Sequence, residues 1–148
     1  MADVMDNLVN PTMNIYAIDM FNFTTSVTEK SWDLFIEHLN DVQRSQIKNN
    51  LRFEVTGQIT RNKYVIVADK PVQNIAYHVN DSVFYVYCIM TNPILPHCDM
   101  LLTQKLMIET DEVRFLTIAH QYGYYLLQDN DDVFNTYKKY YSMNYTRG

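Results

Sequence analysis

The chain has 148 residues, 47% of them apolar and 20% charged, with a formal net charge of −5 and a pI near 5.2. That is globular composition with enough chain for one sizeable core, and it excludes a disordered polymer. The acidic balance argues against nonspecific binding to phosphate backbones or anionic membranes, and three glycines, none near another, cannot build a Gly-rich phosphate-binding loop.

Residues 1–12 are polar, end in Asn10-Pro11 and lack periodicity, which predicts an arm or edge segment. Nothing there reads as a signal peptide, and no apolar run approaches the roughly 20 residues a membrane span needs. The expectation is an intracellular protein, in cytoplasm or nucleus, with Cys88 and Cys98 as free thiols. The triplets at Asn22, Asn80 and Asn144 match the glycosylation pattern but are silent without secretion. Abundant Asn and Tyr with scarce Ala and Gly suit an AT-rich coding genome, which suggests a viral origin, in host cell or virion.

Residues 14–23 alternate loosely and predict a strand. Ser26-Val27-Thr28-Glu29 fits a capping box, and Trp32, Phe35, Ile36, Leu39, Val42 and Ile47 follow at helical spacing. A helix is predicted over 28–48, with its Trp32-Phe35-Leu39 face on a sheet. Beyond Asn49-Asn50 the period changes to two. Leu51, Phe53 and Val55 mark a strand, Gly57 a bulge or bend, Arg61-Asn62 a turn, and 63–68 a second strand. Ile75, Tyr77 and Val79 lead through an Asn80-Asp81 turn into 82–90, whose uninterrupted apolar run predicts the central strand, covered on both faces.

The prolines at 93 and 96 mark a connection. Residues 100–108 fit a strand slightly better than a short helix capped by Asp99. Residues 113–120 and 122–128 read as two more strands, or as one strand bent at Gly123. Asp129 to Asp132 begin a final helix over 131–141 that ends with Lys138 and Lys139. The expected architecture is one α+β domain over 1–148. Its mostly antiparallel sheet of six or seven strands carries helix 28–48 on one face and the short C-terminal helix at an end or edge.

Four constellations could carry chemistry. Cys88, His97, Cys98 and Asp99 offer zinc-type ligands, but their spacing is poor, and a buried Cys88 with a loop Cys98 is the ordinary reading. Cys98 beside His97, or one of His38, His78 and His120, could serve catalysis, though none has a surrounding signature. Asp111-Glu112 and the acids at 129–132 fall where turns and helix starts favour carboxylates.

The fourth is aromatic display: Tyr122, Tyr124, Tyr125, Tyr137, Tyr140, Tyr141 and Tyr145 crowd the C-terminal third beside Lys138 and Lys139. Neither Tyr124 and Tyr125 on a strand nor Tyr140 and Tyr141 on a helix can both face inward, so part of this surface lies outside the core. Tyrosine suits partner interfaces.

The expected function is a non-enzymatic protein-interaction or assembly module with no cofactor and no metal. It binds a protein, a second copy included, through Tyr124, Tyr137, Tyr140, Tyr141, Tyr145, Lys138 and Lys139. The rivals are a small hydrolase or nuclease built around His120 and nearby acids, and a single-strand nucleic-acid binder using Lys138 and Lys139.

Overall fold

The computed structural model describes residues 25–70, 72–80, 82–89, 95–125, 135 and 137–143. The strand expected at 14–23, the acids at 129–132 and Tyr145 lie outside the described residues.

The elements follow the order α1 (Thr25–Glu37), α2 (Asp41–Asn50), β1 (Arg52–Thr56), β2 (Lys63–Val67), β3 (Ile75–His78), β4 (Val83–Cys88), α3 (His97–Thr110), α4 (Glu112–Ile118), β5 (His120–Tyr125) and a π-helical turn (Tyr137–Tyr141). Among the described residues the five strands form one antiparallel sheet in sequence order, β1 to β5. The α+β class is as expected. β4 pairs on both sides, with β3 and β5, and buries Phe84 and Val86 on one face and Tyr87 on the other. The turn before it is built by Asn80, whose Oδ1 accepts from the Ser82 and Val83 amides.

Several expectations need correction. The helix predicted over 28–48 is two helices, broken at Asn40. That residue is extended (ψ 174°) and forms a reciprocal cap with Gln43. The cap satisfies free amides that a continuous helix would not leave open. The break turns Val42 out to solvent while Trp32, Phe35, Leu39 and Ile47 stay buried.

Residues 100–108, expected as strand, belong to helix α3. Its inward face is Cys98, Leu101, Leu102, Lys105 and Ile108, a helical period disguised by a buried lysine and by Gln104, which pairs with Asn74. Residues 113–119, also expected as strand, are mostly helix α4. Asp111 caps it, and only Phe115 among its apolar side chains is fully buried. At the 57–62 turn it is Arg61, not Asn62, that adopts positive φ (61°). The C-terminal segment lies across a sheet face rather than at an end, because Arg52 reaches out of the sheet to hold it.

Strand alternation gives the sheet two faces. On the first, Phe53, Val55, Tyr64, Ile66, Ile75 and Tyr87 meet α1, α3 and α4 through Trp32, Phe35, Leu101, Ile108 and Phe115. Each such large side chain contributes about 1.5–3 kcal/mol when buried. Burial, followed by the neighbouring Tyr85 and Tyr77, pushes the Tyr87 hydroxyl up to about 12. The second face carries Val65, Val67, Ala76, Phe84, Val86 and Tyr124, partly covered by Tyr137, Tyr140 and Tyr141.

Candidate functional site

The second face is organised by Phe84. Its ring stacks on Tyr124 at 5.3 Å and lies 5.2 Å from Tyr137 and 5.7 Å from Tyr141. Tyr137 also packs on His78 at 5.2 Å, and Tyr140 on Tyr141 at 6.3 Å. Three of the tyrosines expected to form a surface, at 124, 137 and 141, therefore converge on one phenylalanine, and the fourth, Tyr140, joins them through Tyr141.

Their roles differ. Tyr141 is buried, its hydroxyl donates to the Gln73 carbonyl at 2.9 Å, and burial, with Tyr124 and Tyr140 close by, raises its pKa. It closes the core. Tyr124, Tyr137 and Tyr140 are half-buried. Lys70 and Lys139 place their ammonium groups 5.5 and 5.2 Å from the Tyr140 ring centre, within cation–π range. Lys138 is exposed on the same turn.

The turn is fixed by buried Arg52, which donates to the Ser142 and Lys139 carbonyls at 3.0 Å each, and by Asn50, which donates to the Met143 carbonyl at 2.9 Å. The last carbonyls of a helical turn are the ones its own amides do not reach, and these side chains supply donors to them. Beside the turn a cleft of about 280 Å³ opens over Val65, Ala76 and Phe84, with Glu54, Lys63 and His78 among its walls. Phe84 and this cleft were missed in the sequence, and Tyr122 was counted among the crowded tyrosines but left out of the expected binding set. Phe84 and Tyr122 share strand parity with Val86 and Tyr124, and only the pairing of β4 with β5 sets them side by side.

The metal constellation is not assembled. Cys98 sits in the core of the first face, His97 Nε2 bonds the Ala68 carbonyl at 2.7 Å, and Asp99 accepts from Ser31. Cys88 belongs to the opposite face by its register with His120. No group of three or more His, Cys, Asp or Glu side chains is gathered among the described residues. His38 Nδ1 lies 2.8 Å from the Leu34 carbonyl on its own helix. His120 is exposed on β5, and none of the ion pairs among the described residues joins it to an acid.

Glu112 departs from the solvated-turn reading. It is 1% exposed and accepts from the Ile59 and Thr60 amides, the Thr60 hydroxyl and the Tyr64 hydroxyl. Burial alone would raise its pKa. The hydrogen bonds from Thr60, Tyr64 and Ile59 outweigh that and hold it below the ordinary value of 4.5. Tyr64 moves the other way, raised by burial and by donating to Glu112. The group is enclosed and fully committed, so it ties α4 to the turn between β1 and β2.

The fold and this face define an α+β domain with an aromatic, partly covered sheet surface. No family model matches the sequence, no curated protein matches it, and no solved structure matches the chain. No helix among the described residues is long and apolar enough to cross a membrane.

Proposed function

We propose that the chain is a non-enzymatic protein-interaction and assembly module, and that its partner docks on the second sheet face around Phe84. One observation carries this reading. The buried aromatic cluster continues to the surface through half-buried Tyr124 and Tyr140 and through Tyr122, which is 42% exposed. Tyrosine gives large rigid contact area with a polar tip and loses little conformational entropy on binding. The adjoining cleft would receive a partner side chain, with Lys63, His78 and Glu54 at hand for polar contacts. A second copy of the chain is the first occupant to test, since assembly would bury the remaining aromatic area symmetrically. The acidic pI and Asn- and Tyr-rich composition suit an intracellular, virus-encoded setting.

The test pairs Tyr122→Ser with Tyr140→Ser, leaving the buried Tyr141 in place. Native mass spectrometry and cross-linking of the full chain should show self-association, or capture of a protein partner, that the double variant loses while keeping its fold by circular dichroism. If every contact of the wild-type chain survives in the variant, the face is not the interface.

A further inference from the structure

Cys88 closes β4 and His120 opens β5, and the two are direct partners in the antiparallel ladder. Both have the strand parity of Val86 and Tyr122, so both belong to the second face. Directly opposed residues of an antiparallel pair hold their β-carbons about 4.5–5.5 Å apart. A thiolate and an imidazole on such a pair can converge on one ion, at the ~2.3 Å and ~2.0 Å that zinc requires. Cys88 is half-buried and His120 exposed, which leaves such a site open on its outer side.

One copy supplies only two of the four ligands of a tetrahedral site. The residues following Cys88, from Ile89 to Pro96, include no His, Cys, Asp or Glu, nor do the six preceding His120, from Arg114 to Ala119. Among the described residues no third ligand of these types is gathered with the pair. His97 and Cys98, the next candidates along the chain, are buried on the other side of the sheet.

We propose that Cys88 and His120 form half of a zinc site, which the same two residues of a second copy complete about a twofold axis. Such an interface is isologous, as twofold symmetry demands. Tyr122, next on the same face of β5, would lie against its own symmetry mate and bury the exposed part of its ring. Among the described residues β5 pairs only with β4. Charge also balances: each Cys88 thiol releases one proton on binding, and two thiolates neutralise Zn²⁺ beside two neutral imidazoles. A Cys–His nucleophile is the weaker use of the pair, because it needs a third group to orient the imidazole, and none of the ion pairs among the described residues provides one.

This inference rests on the self-association reading, and the experiment separates the two. The full chain, kept reduced, is titrated with Zn²⁺ alone and followed by sedimentation velocity and native mass spectrometry. Co²⁺ replaces Zn²⁺ in a parallel titration, to report thiolate coordination and tetrahedral geometry by absorption. The expected result is a dimer holding one ion per two chains and dissociated by chelator. Cys88→Ser and His120→Ala should each weaken metal-dependent dimerisation by about 100-fold or more, as loss of two of the four ligands demands. Circular dichroism should show both variants folded. A dimer that ignores zinc would leave self-association standing and overturn the metal site. One ion bound per monomer would overturn the sharing. A monomer that binds no zinc would overturn both.

Discussion

The carboxylate of Glu112 occupies the space that a side chain on residue 57 would need: a β-carbon built on Gly57 would fall well inside van der Waals contact of its Oε2. Gly57 is therefore required for room, not for an unusual backbone angle, and the bend there is shaped by a residue 55 positions later. Gly57→Ala should lower stability by about 2–4 kcal/mol, because the added methyl either displaces Glu112 or opens the turn. Glu112→Gln should cost about 1–3 kcal/mol, since one face of an amide cannot accept everything the carboxylate accepts. Urea unfolding at pH 7 measures both.

The same network predicts acid sensitivity. Glu112 titrates below 4.5 in the folded chain and near its ordinary value when unfolded. A depressed pKa contributes stability that is fully present above about pH 4.5 and is lost as pH falls through the lowered folded value. Stability of the wild-type chain should drop on acidification across that window, and Glu112→Gln should drop less. Urea midpoints between pH 7 and pH 3 decide it; parallel curves would mean that other carboxylates govern acid unfolding.

Arg52 holds the C-terminal turn from inside the sheet. Lysine cannot reproduce a guanidinium that reaches two carbonyls from one planar fork. Arg52→Lys should cost about 2–4 kcal/mol and raise amide exchange selectively at 137–142, with the β2–β3 amides less affected. Hydrogen-exchange mass spectrometry resolves these segments. Uniform loss of protection would instead place the damage in the whole sheet.

Tyr140 and Tyr141 are neighbours with opposite assignments. Tyr141→Phe removes the bond to the Gln73 carbonyl and should cost about 1 kcal/mol, while Tyr141→Ala, which empties a core position, should cost about 3–5 kcal/mol. Tyr140→Ala should shift the thermal midpoint far less, yet carry the larger effect on partner contacts. Calorimetry beside cross-linking separates core from surface; a reversed order would exchange the two roles.

Among the described residues the outer edge of β1 is met by side chains. Gln43 Nε2 donates to the Glu54 carbonyl and Gln46 Oε1 accepts from the Glu54 amide, each at 2.9 Å. Gln43→Ala with Gln46→Ala should leave those backbone groups unsatisfied, cost about 1–3 kcal/mol, and promote edge-to-edge association. Light scattering at matched concentration tests this; a variant as monodisperse as the wild-type chain would show that helix α2 shields the edge by bulk alone.

The strands from Arg52 to Cys88 were legible in the sequence because β1 and β3 alternate at period two, β4 is an uninterrupted apolar run, and each is bounded by Gly, Pro or Asn. Trp32, Phe35 and Ile47 were legible as a buried helical face for the same kind of reason. The Asn40–Gln43 cap was also written there, as Asn-x-x-Gln, but a continuous apolar period across Leu39 and Val42 concealed it. Helices α3 and α4 were not legible. Their inward faces include Gln104, Lys105 and Glu112, and a polar residue reads as solvent-facing until its distant partner is known.

The crowding of tyrosines near the C-terminus was evident from composition, and strand and helix geometry alone required some of them to face outward. Which ones do was decided by tertiary structure. Arg52 and Asn50, some 90 positions earlier, lay the turn across the sheet and bury Tyr141 while leaving Tyr140 at the surface. The opposition of Cys88 to His120 is a matter of register between strands separated by two helices. Local sequence sets the period and the ends of a segment, but long-range hydrogen bonds and shared burial select which segments meet.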